Sequence, residues 1–152
     1  MIIELLTPEE EILAWFEKAL KEELSEMIQS INKERGEQWT LPLRDISRQQ
    51  TNQKLPQAVL KIPKVKKQTV DINFIREEYI IELKITFIDN KYKSLGYRYN
   101  YLINKLFKES TNIAKIADKV IIDELIYNQN KRGDDREPSS ADFKITLTRD
   151  SL

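Results

Sequence analysis

The sequence predicts an α+β domain in which two helices pack on a mostly antiparallel sheet of four to five strands, in the order α-β-β-β-α-β-β. Two observations lead to this prediction: amphipathic helical repeats occur near the amino terminus and in the middle of the chain, and stretches of alternating apolar and polar residues lie between and after them. The chain has 152 residues, 40% of them hydrophobic, which is enough for one core. We therefore expect residues 1–152 to form a single domain.

The first helix is predicted from its start signals. Thr7 is a typical N-cap residue, Pro8 suits the first helical position, and Glu10 completes a capping box. Apolar residues then recur at spacings of three or four as far as Ile31, which predicts one buried face. Gly36 is a suitable residue to end the helix.

The second amphipathic helix is predicted in SLGYRYNYLINKLF, with Ser94 as its N-cap. Tyr97, Tyr99 and Tyr101 lie near Arg98, an arrangement that could stack on nucleic-acid bases. On a helix these rings spread around the cylinder, so packing against the sheet or a neighbour is the favoured interpretation.

The strand predictions begin with PQAVLKIPKV, which follows a polar connection over residues 37–55. Pro56 and Pro63 favour an edge strand, because proline cannot donate a hydrogen bond to a neighbouring strand. A cluster of four lysines follows, and it either protects that edge from unwanted pairing or binds phosphate. Its members are Lys61, Lys64, Lys66 and Lys67.

The stretch VDINFIREEYIIELKIT predicts a β-hairpin that turns at its charged Arg-Glu-Glu triplet. If the apolar residues of both strands share one face, Ile72 lies opposite Leu83. The same register pairs Asp71 with Lys84 and puts Glu82 on the same polar face. Three residues that could act together are therefore expected side by side.

Two interpretations of this polar face stay open. The spacing resembles that of the PD-(D/E)xK nuclease superfamily, and the resemblance implies that Asp71 and Glu82 hold a magnesium ion while Lys84 orients the attacking water. The proline that precedes the first acid in that superfamily is absent, because Val70 occupies the position. The other interpretation, which we favour, is that these residues form only the polar face of a hairpin, with Asp71 and Lys84 as a simple cross-strand ion pair.

The composition limits the remaining chemistry. The chain has no His and no Cys, which excludes imidazole and thiolate metal sites, disulfides, and catalysis by a His base or a Cys nucleophile. Its 25 basic and 25 acidic residues cancel, so no overall field favours nucleic acid or an anionic membrane. We see no leader segment and no run long enough to span a bilayer. We expect a cytoplasmically made protein with no cofactor, no membrane partner and no specific nucleic-acid partner.

Two closing strands are predicted in KVIIDELIY and DFKITLTRD, with the charged loop NQNKRGDDREPSS between them. The loop is much longer than a hairpin requires, and charges of both signs suit pairing with a neighbouring subunit. We interpret its charged residues as interface candidates, together with Asp71, Glu82 and Lys84. They are Lys131, Arg132, Asp134, Asp135, Arg136 and Glu137.

The order of these elements resembles the tail terminator and tail-completion proteins of tailed bacteriophages. The resemblance runs from the helix that starts at Thr7, through LPQAVLKI, YIIELKITFI and SLGYRYNYLINKLF, to the hairpin between Val120 and Arg149. It implies a structural virion protein without catalytic residues, which forms a homo-oligomeric ring, commonly a hexamer. Such a ring caps the tail tube and joins it to the head connector or neck protein. The implied location is the virion tail or neck, after assembly in the host cytoplasm.

A shortened loop tests the interface assignment. Replacing residues 129–138 by an Asn-Gly turn should leave the monomer folded, because two residues suffice to join the strands. It should weaken assembly, most visibly at high salt, where the remaining ion pairs are screened. Sedimentation of both variants at low and high salt measures the difference, and an unchanged assembly of the shortened chain would show that the loop is dispensable.

Overall fold

The computed structural model describes residues 7–38, 40–48, 54–72, 74–88, 94–128 and 138–151, and it is α+β as predicted. Within these residues five strands form one mixed sheet, in the order β1-β2-β3-β5-β4. All neighbouring strands are antiparallel except β1 and β2, which are parallel. The helices are α1 (Pro8–Lys18), α2 (Leu24–Arg35), α3 (Leu95–Glu109) and α4 (Thr111–Ala114), and the strands are β1 (Asp45–Ser47), β2 (Gln57–Asp71), β3 (Phe74–Phe87), β4 (Lys119–Asn128) and β5 (Ser139–Ser151).

The amino-terminal helix begins and ends where the sequence predicts. The Thr7 hydroxyl oxygen accepts a hydrogen bond from the Glu10 backbone N–H at 3.2 Å, and the hydroxyl donates to the Glu10 carboxylate at 2.9 Å. Gly36 ends the helix with a φ of 65°, a left-handed conformation that glycine adopts without a steric cost. The sequence did not predict the π-helical turn Ala19–Glu23, which separates α1 from α2.

Hydrogen bonds join the π-helical turn of the amino-terminal helix to α4. The carboxylate of Glu23, its last residue, accepts hydrogen bonds from the side-chain amide of Asn112 at 2.7 Å and from the Thr111 hydroxyl at 3.2 Å. Ser110 caps α4 by accepting a hydrogen bond from the Ile113 backbone N–H at 3.1 Å. These contacts hold α4 in place, although its sequence shows no clear helical or strand periodicity.

Strand β2 differs from its prediction in length and neighbours. It runs from Gln57 to Asp71, so it joins two segments that the sequence analysis treated as separate strands. The short strand β1 lies in the region that was predicted as a connection. It pairs with β2 only over Gln57–Val59. Among the described residues, the rest of β2 is an edge, which confirms the edge prediction for that part. Pro63 lies where the register with β3 shifts, a position that tolerates its missing N–H.

The core lies between the helices and one face of the sheet. On β3 every second residue from Tyr79 to Phe87 is buried, and the facing residues of β5 and of the helices complete one cluster. Two packed layers therefore share a single core. Its largest fully buried side chains are Tyr79, Tyr99, Phe16, Phe87, Phe143, Ile12, Leu20, Leu24, Ile28, Leu60, Ile81 and Leu83.

The tyrosines of α3 have different environments. Tyr99 is fully buried, and its hydroxyl donates to the Leu41 carbonyl at 2.9 Å, so it packs in the core as favoured above. Tyr97 and Tyr101 are both more than half exposed. Ser94 precedes the helix but its side chain makes no capping hydrogen bond, because the residue adopts a left-handed conformation with a φ of 50°. Ser94 therefore occupies the predicted N-cap position, but it does not form the capping hydrogen bond expected of such a residue.

Substitutions at two adjacent residues of β3 test which face of the strand is buried. Ile81 is fully buried, whereas Glu82 is exposed on the opposite face. We expect Ile81→Ala to lower the free energy of unfolding by about 2–5 kcal/mol because it leaves a cavity in the core. Glu82→Ala should change it by no more than about 0.5 kcal/mol. Chemical denaturation of both variants measures this, and a large effect of Glu82→Ala would contradict the assigned faces.

Candidate functional site

The β2–β3 hairpin turns between Asp71 and Phe74, so the register predicted from the sequence is wrong. Asp71 pairs with Phe74 on the two sides of the turn, and Leu83 pairs with Leu60 instead of Ile72. The charged triplet at 76–78 lies inside β3, paired with β2 on one side and β5 on the other. That triplet has no Gly, Pro, Asn or Asp to favour a turn, and this missing signal could have corrected the prediction.

The new register separates the three residues that the nuclease interpretation requires. Glu82 lies eight residues beyond Phe74 on β3, so it is about 27 Å from Asp71 along the strand. Lys84 is about 34 Å away by the same measure. One metal ion cannot bridge such distances, since its carboxylate ligands bind at about 2–2.6 Å. In the described ranges there is also no group of three or more acidic residues that could hold a metal ion.

Glu82 and Lys84 lie on the outer face, the side of the sheet away from the helices. In one row across four strands, positive and negative residues alternate, so each charge has an opposite charge as its neighbour in the register. Cross-strand pairs of this kind stabilise a sheet modestly. The row is Lys61, Glu82, Lys144 and Glu124, in the order β2, β3, β5 and β4.

The neighbouring row of the outer face contains a partly buried carboxylate. Asp142 pairs with Lys84 on β3 and with Ile126 on β4. Its Oδ2 accepts a hydrogen bond from the Asn128 side-chain amide at 2.7 Å, while its Oδ1 is buried without a partner among the described residues. A shallow depression of about 280 Å³ lies over these two rows. The outer face is therefore charged and shallow.

The remaining predicted interface residues cannot be placed. Lys131, Arg132, Asp134, Asp135, Arg136 and Glu137 all lie in residues 129–137, outside the described part of the chain. Their assignment as interface candidates stays a prediction.

The sequence did not predict the exposed surface at the β2–β3 turn, which we call the hairpin tip. It comprises Asp71 and three exposed apolar residues, Val70, Ile72 and Ile75. Ile72 is 95% exposed, and Val70 and Ile75 are 51% and 41% exposed. The last buried residue of β3 before the tip is Tyr79, five residues beyond Phe74, so the tip projects about 17 Å past the core.

The residue at the turn is unusual for its position. Two-residue hairpin turns favour Asn, Asp and Gly, whereas Ile72 is apolar and branched at Cβ. Its side chain gains no apolar burial from folding of the single chain because it is almost fully exposed. Because Ile72 is disfavoured at a turn and adds no burial to the folded chain, its presence points to a role other than stabilising the fold. The alternating pattern around Ile72 could have revealed the tip only if the turn had been located correctly.

Charged residues surround the base of the projecting hairpin on the helix side of the sheet. The hydroxyl of Tyr79 donates to the Glu77 carboxylate, and the guanidinium of Arg149 lies 5.5 Å from the centre of the Tyr79 ring. Burial, and then the hydrogen bond to Glu77, raise the pKa of Tyr79 to about 12. This network closes the core where the hairpin leaves it.

A buried ion pair fixes the chain at the opposite end of the domain. Arg98 on α3 forms a salt bridge with Glu37, and its guanidinium donates to the Thr40 hydroxyl oxygen at 3.2 Å. Burial, and then the positive charge of Arg35, lower the pKa of Arg98. The Asn32 side-chain amide donates to the Thr40 carbonyl at 2.8 Å. These contacts hold the segment after α2 against both helices, so Arg98 has a structural role here.

Comparisons with known proteins give no family assignment. No protein-family model matches the chain, and no match is found among curated protein sequences. In the ranges that the structure describes, every helix is too short or too polar to cross a membrane.

The Tyr79 network predicts a specific titration. The unfolded chain ionises Tyr79 near pH 10, whereas the folded chain holds its proton to about pH 12. The stability that this proton contributes is complete below pH 10 and is lost as the pH rises from about 10 to 12. Phenolate absorbance of the folded protein should show late ionisation that Glu77→Gln moves to lower pH.

Two variants identify the late phenol. Tyr79→Phe should remove that late step, and Tyr101→Phe, at an exposed position, should leave it unchanged. The comparison is needed because burial also raises the pKa of Tyr127. A late step that persists in full in Tyr79→Phe would disprove the assignment.

Proposed function

We propose that this protein is a structural assembly subunit that contacts neighbouring chains through its hairpin tip. Copies of it form the ring that caps the tail tube of a tailed bacteriophage and joins the tube to the head connector or neck protein. The proposed partners are the chain itself, commonly as a hexamer, the tail tube protein and the connector. The proposed location is the virion tail or neck, and the role is not enzymatic.

The exposed hairpin tip is the observation that carries this proposal. Isolated apolar side chains are normal on protein surfaces, but three of them grouped on a projection are typical of a contact site. Burial of a side chain such as Ile72 in a neighbour contributes about 1.5–3 kcal/mol, which would favour association strongly in a ring where each subunit makes the same contact.

The outer face also supports a structural role. The depression over its alternating row from Lys61 to Glu124 is shallow, and the charges of that row are matched to one another across the strands. Such a surface favours the orientation of a neighbour more than tight binding of a small ligand. The resemblance of the element order to tail terminator proteins supports the specific assembly, and the charged loop at 129–137 provides a second candidate contact.

The nuclease is not proposed as a second function. Its three residues do not meet, because Asp71 lies at the turn while Glu82 and Lys84 lie in the middle of β3. No other described feature favours magnesium-dependent cleavage.

Substitution of the tip tests the assembly. Sedimentation velocity and light scattering of the unmodified protein should detect a closed oligomer, alone or with tail tubes present. Ile72→Asp should weaken association by about 10- to 100-fold, because a carboxylate at this position is costly to bury in a neighbour. The monomer should remain as stable as the unmodified one, since Ile72 makes no contribution to the core.

The matched control is Tyr101→Asp, which places the same charge at an exposed aromatic residue on α3, away from both the tip and the outer face. This variant should retain assembly through the tip. Electron microscopy of tail tubes mixed with each variant then shows whether the ends are capped. A protein that stays monomeric at high concentration and also with tail tubes would disprove the proposed function.

A further inference from the structure

A cavity of about 210 Å³, lined by apolar and aromatic residues, lies at the end of the β2–β3 ribbon opposite to the hairpin tip. Phe87 and Tyr99 line it and pack against each other, with ring centres 5.2 Å apart. Leu41 and Ile88 are the more exposed residues of its lining, at 38% and 37%. The cavity thus combines a buried aromatic wall with an apolar rim that solvent can reach.

The charges near the two ends are complementary. The tip carries Asp71 directly before Ile72. On the cavity side, exposed Lys54 precedes the lining residue Leu55, and exposed Arg44 donates its backbone N–H to the Pro56 carbonyl at 2.7 Å. Asp45 is the acid beside them and is half-buried in β1. Among these described residues, the two basic side chains outnumber the one carboxylate, which suits an approaching carboxylate.

The tip of one chain cannot reach the cavity of the same chain. The two are separated by the full length of β3, which has 14 residues and is therefore about 46 Å long. The tip of a second copy can reach it, and it would bring the exposed side chain of Ile72 to the apolar rim and the Asp71 carboxylate to the basic residues beside that rim. A contact that joins opposite ends of identical subunits is head-to-tail, and it closes into a ring when the rotation between subunits allows.

We infer that Ile72 of each copy inserts into the cavity beside Leu41 and Ile88 of the next copy, and that this contact closes the ring. The inference rests on the proposed function and specifies which surfaces of the subunit meet. Asp71 of one copy then lies near Lys54 and Arg44 of the next. These charges orient the tip as it enters the cavity, and the buried isoleucine holds it there.

The chain contains no cysteine, so introduced cysteines can test the contact directly. We expect an Ile72→Cys chain mixed with an Ile88→Cys chain to form a disulfide-linked dimer on mild oxidation, since a disulfide requires the two Cα atoms within about 7 Å. A chain carrying both substitutions should give a ladder that ends at the size of the closed ring. Ile72→Cys with Leu41→Cys provides a second pair on the same rim.

The control pair is Ile72→Cys with Ile126→Cys, since Ile126 is an exposed isoleucine on the outer face, away from the cavity. It should crosslink at least ten-fold more slowly than the rim pairs. If Ile72→Cys chains link to one another as fast as to the rim, the contact is tip-to-tip and the inference is wrong.

Charge reversal provides an independent measurement. Asp71→Lys and Lys54→Asp should each weaken association by about ten-fold at low salt, and the double variant should recover most of the loss. No recovery would contradict the predicted proximity of Asp71 and Lys54.

Sedimentation of the unmodified protein separates this inference from the proposed function. If an oligomer forms but neither rim pair crosslinks faster than the control, the head-to-tail contact is wrong and the assembly role stands. If no oligomer forms with or without tail tubes, both fail.

Discussion

The pairing of β3 on both of its edges is the constraint on which the rest of the structure depends. From Phe74 to Thr86 this strand pairs with β2 on one side, and from Ile75 to Phe87 it pairs with β5 on the other. Since side chains alternate along a strand, this pairing decides which residues enter the core and which reach the outer face. The helices pack only over the half that carries Tyr79 to Phe87, so the other half extends beyond the core.

The domain is held differently at the two ends of this ribbon. At one end, Arg98, Glu37 and Thr40 tie the segment after α2 to α3 in a buried polar cluster. At the other end, Tyr79 with Glu77 and Arg149 closes the core, and beyond it the hairpin projects with little apolar burial. A packed body with exposed apolar residues on a projection is consistent with the proposed assembly, in which the contacts lie at the ends of the ribbon.

The chemistry of the chain is consistent with this emphasis on contacts. Without His or Cys, reactive groups are limited to carboxylates, amines and hydroxyls, and Asp71 lies far from Glu82 and Lys84, the other two residues that resembled a nuclease centre. On the outer face, residues of opposite charge are neighbours, so their electric fields largely cancel a short distance from the surface. In the proposed assembly, specificity would come from shape and from the position of a few apolar side chains.

The sequence by itself determined the fold class and the amino-terminal helix with its Thr7 cap and Gly36 end, because these depend on local periodicity and on hydrogen bonds within a few residues. It also predicted a strand in DFKITLTRD, which lies within β5, since alternation along one strand is a local property. The position of the β2–β3 turn, and with it the separation of Asp71 from Glu82, was decided only by the tertiary structure. The reason is that Arg76–Glu78 can continue a strand or interrupt one, and its pairing with β5, distant in sequence, favours continuation.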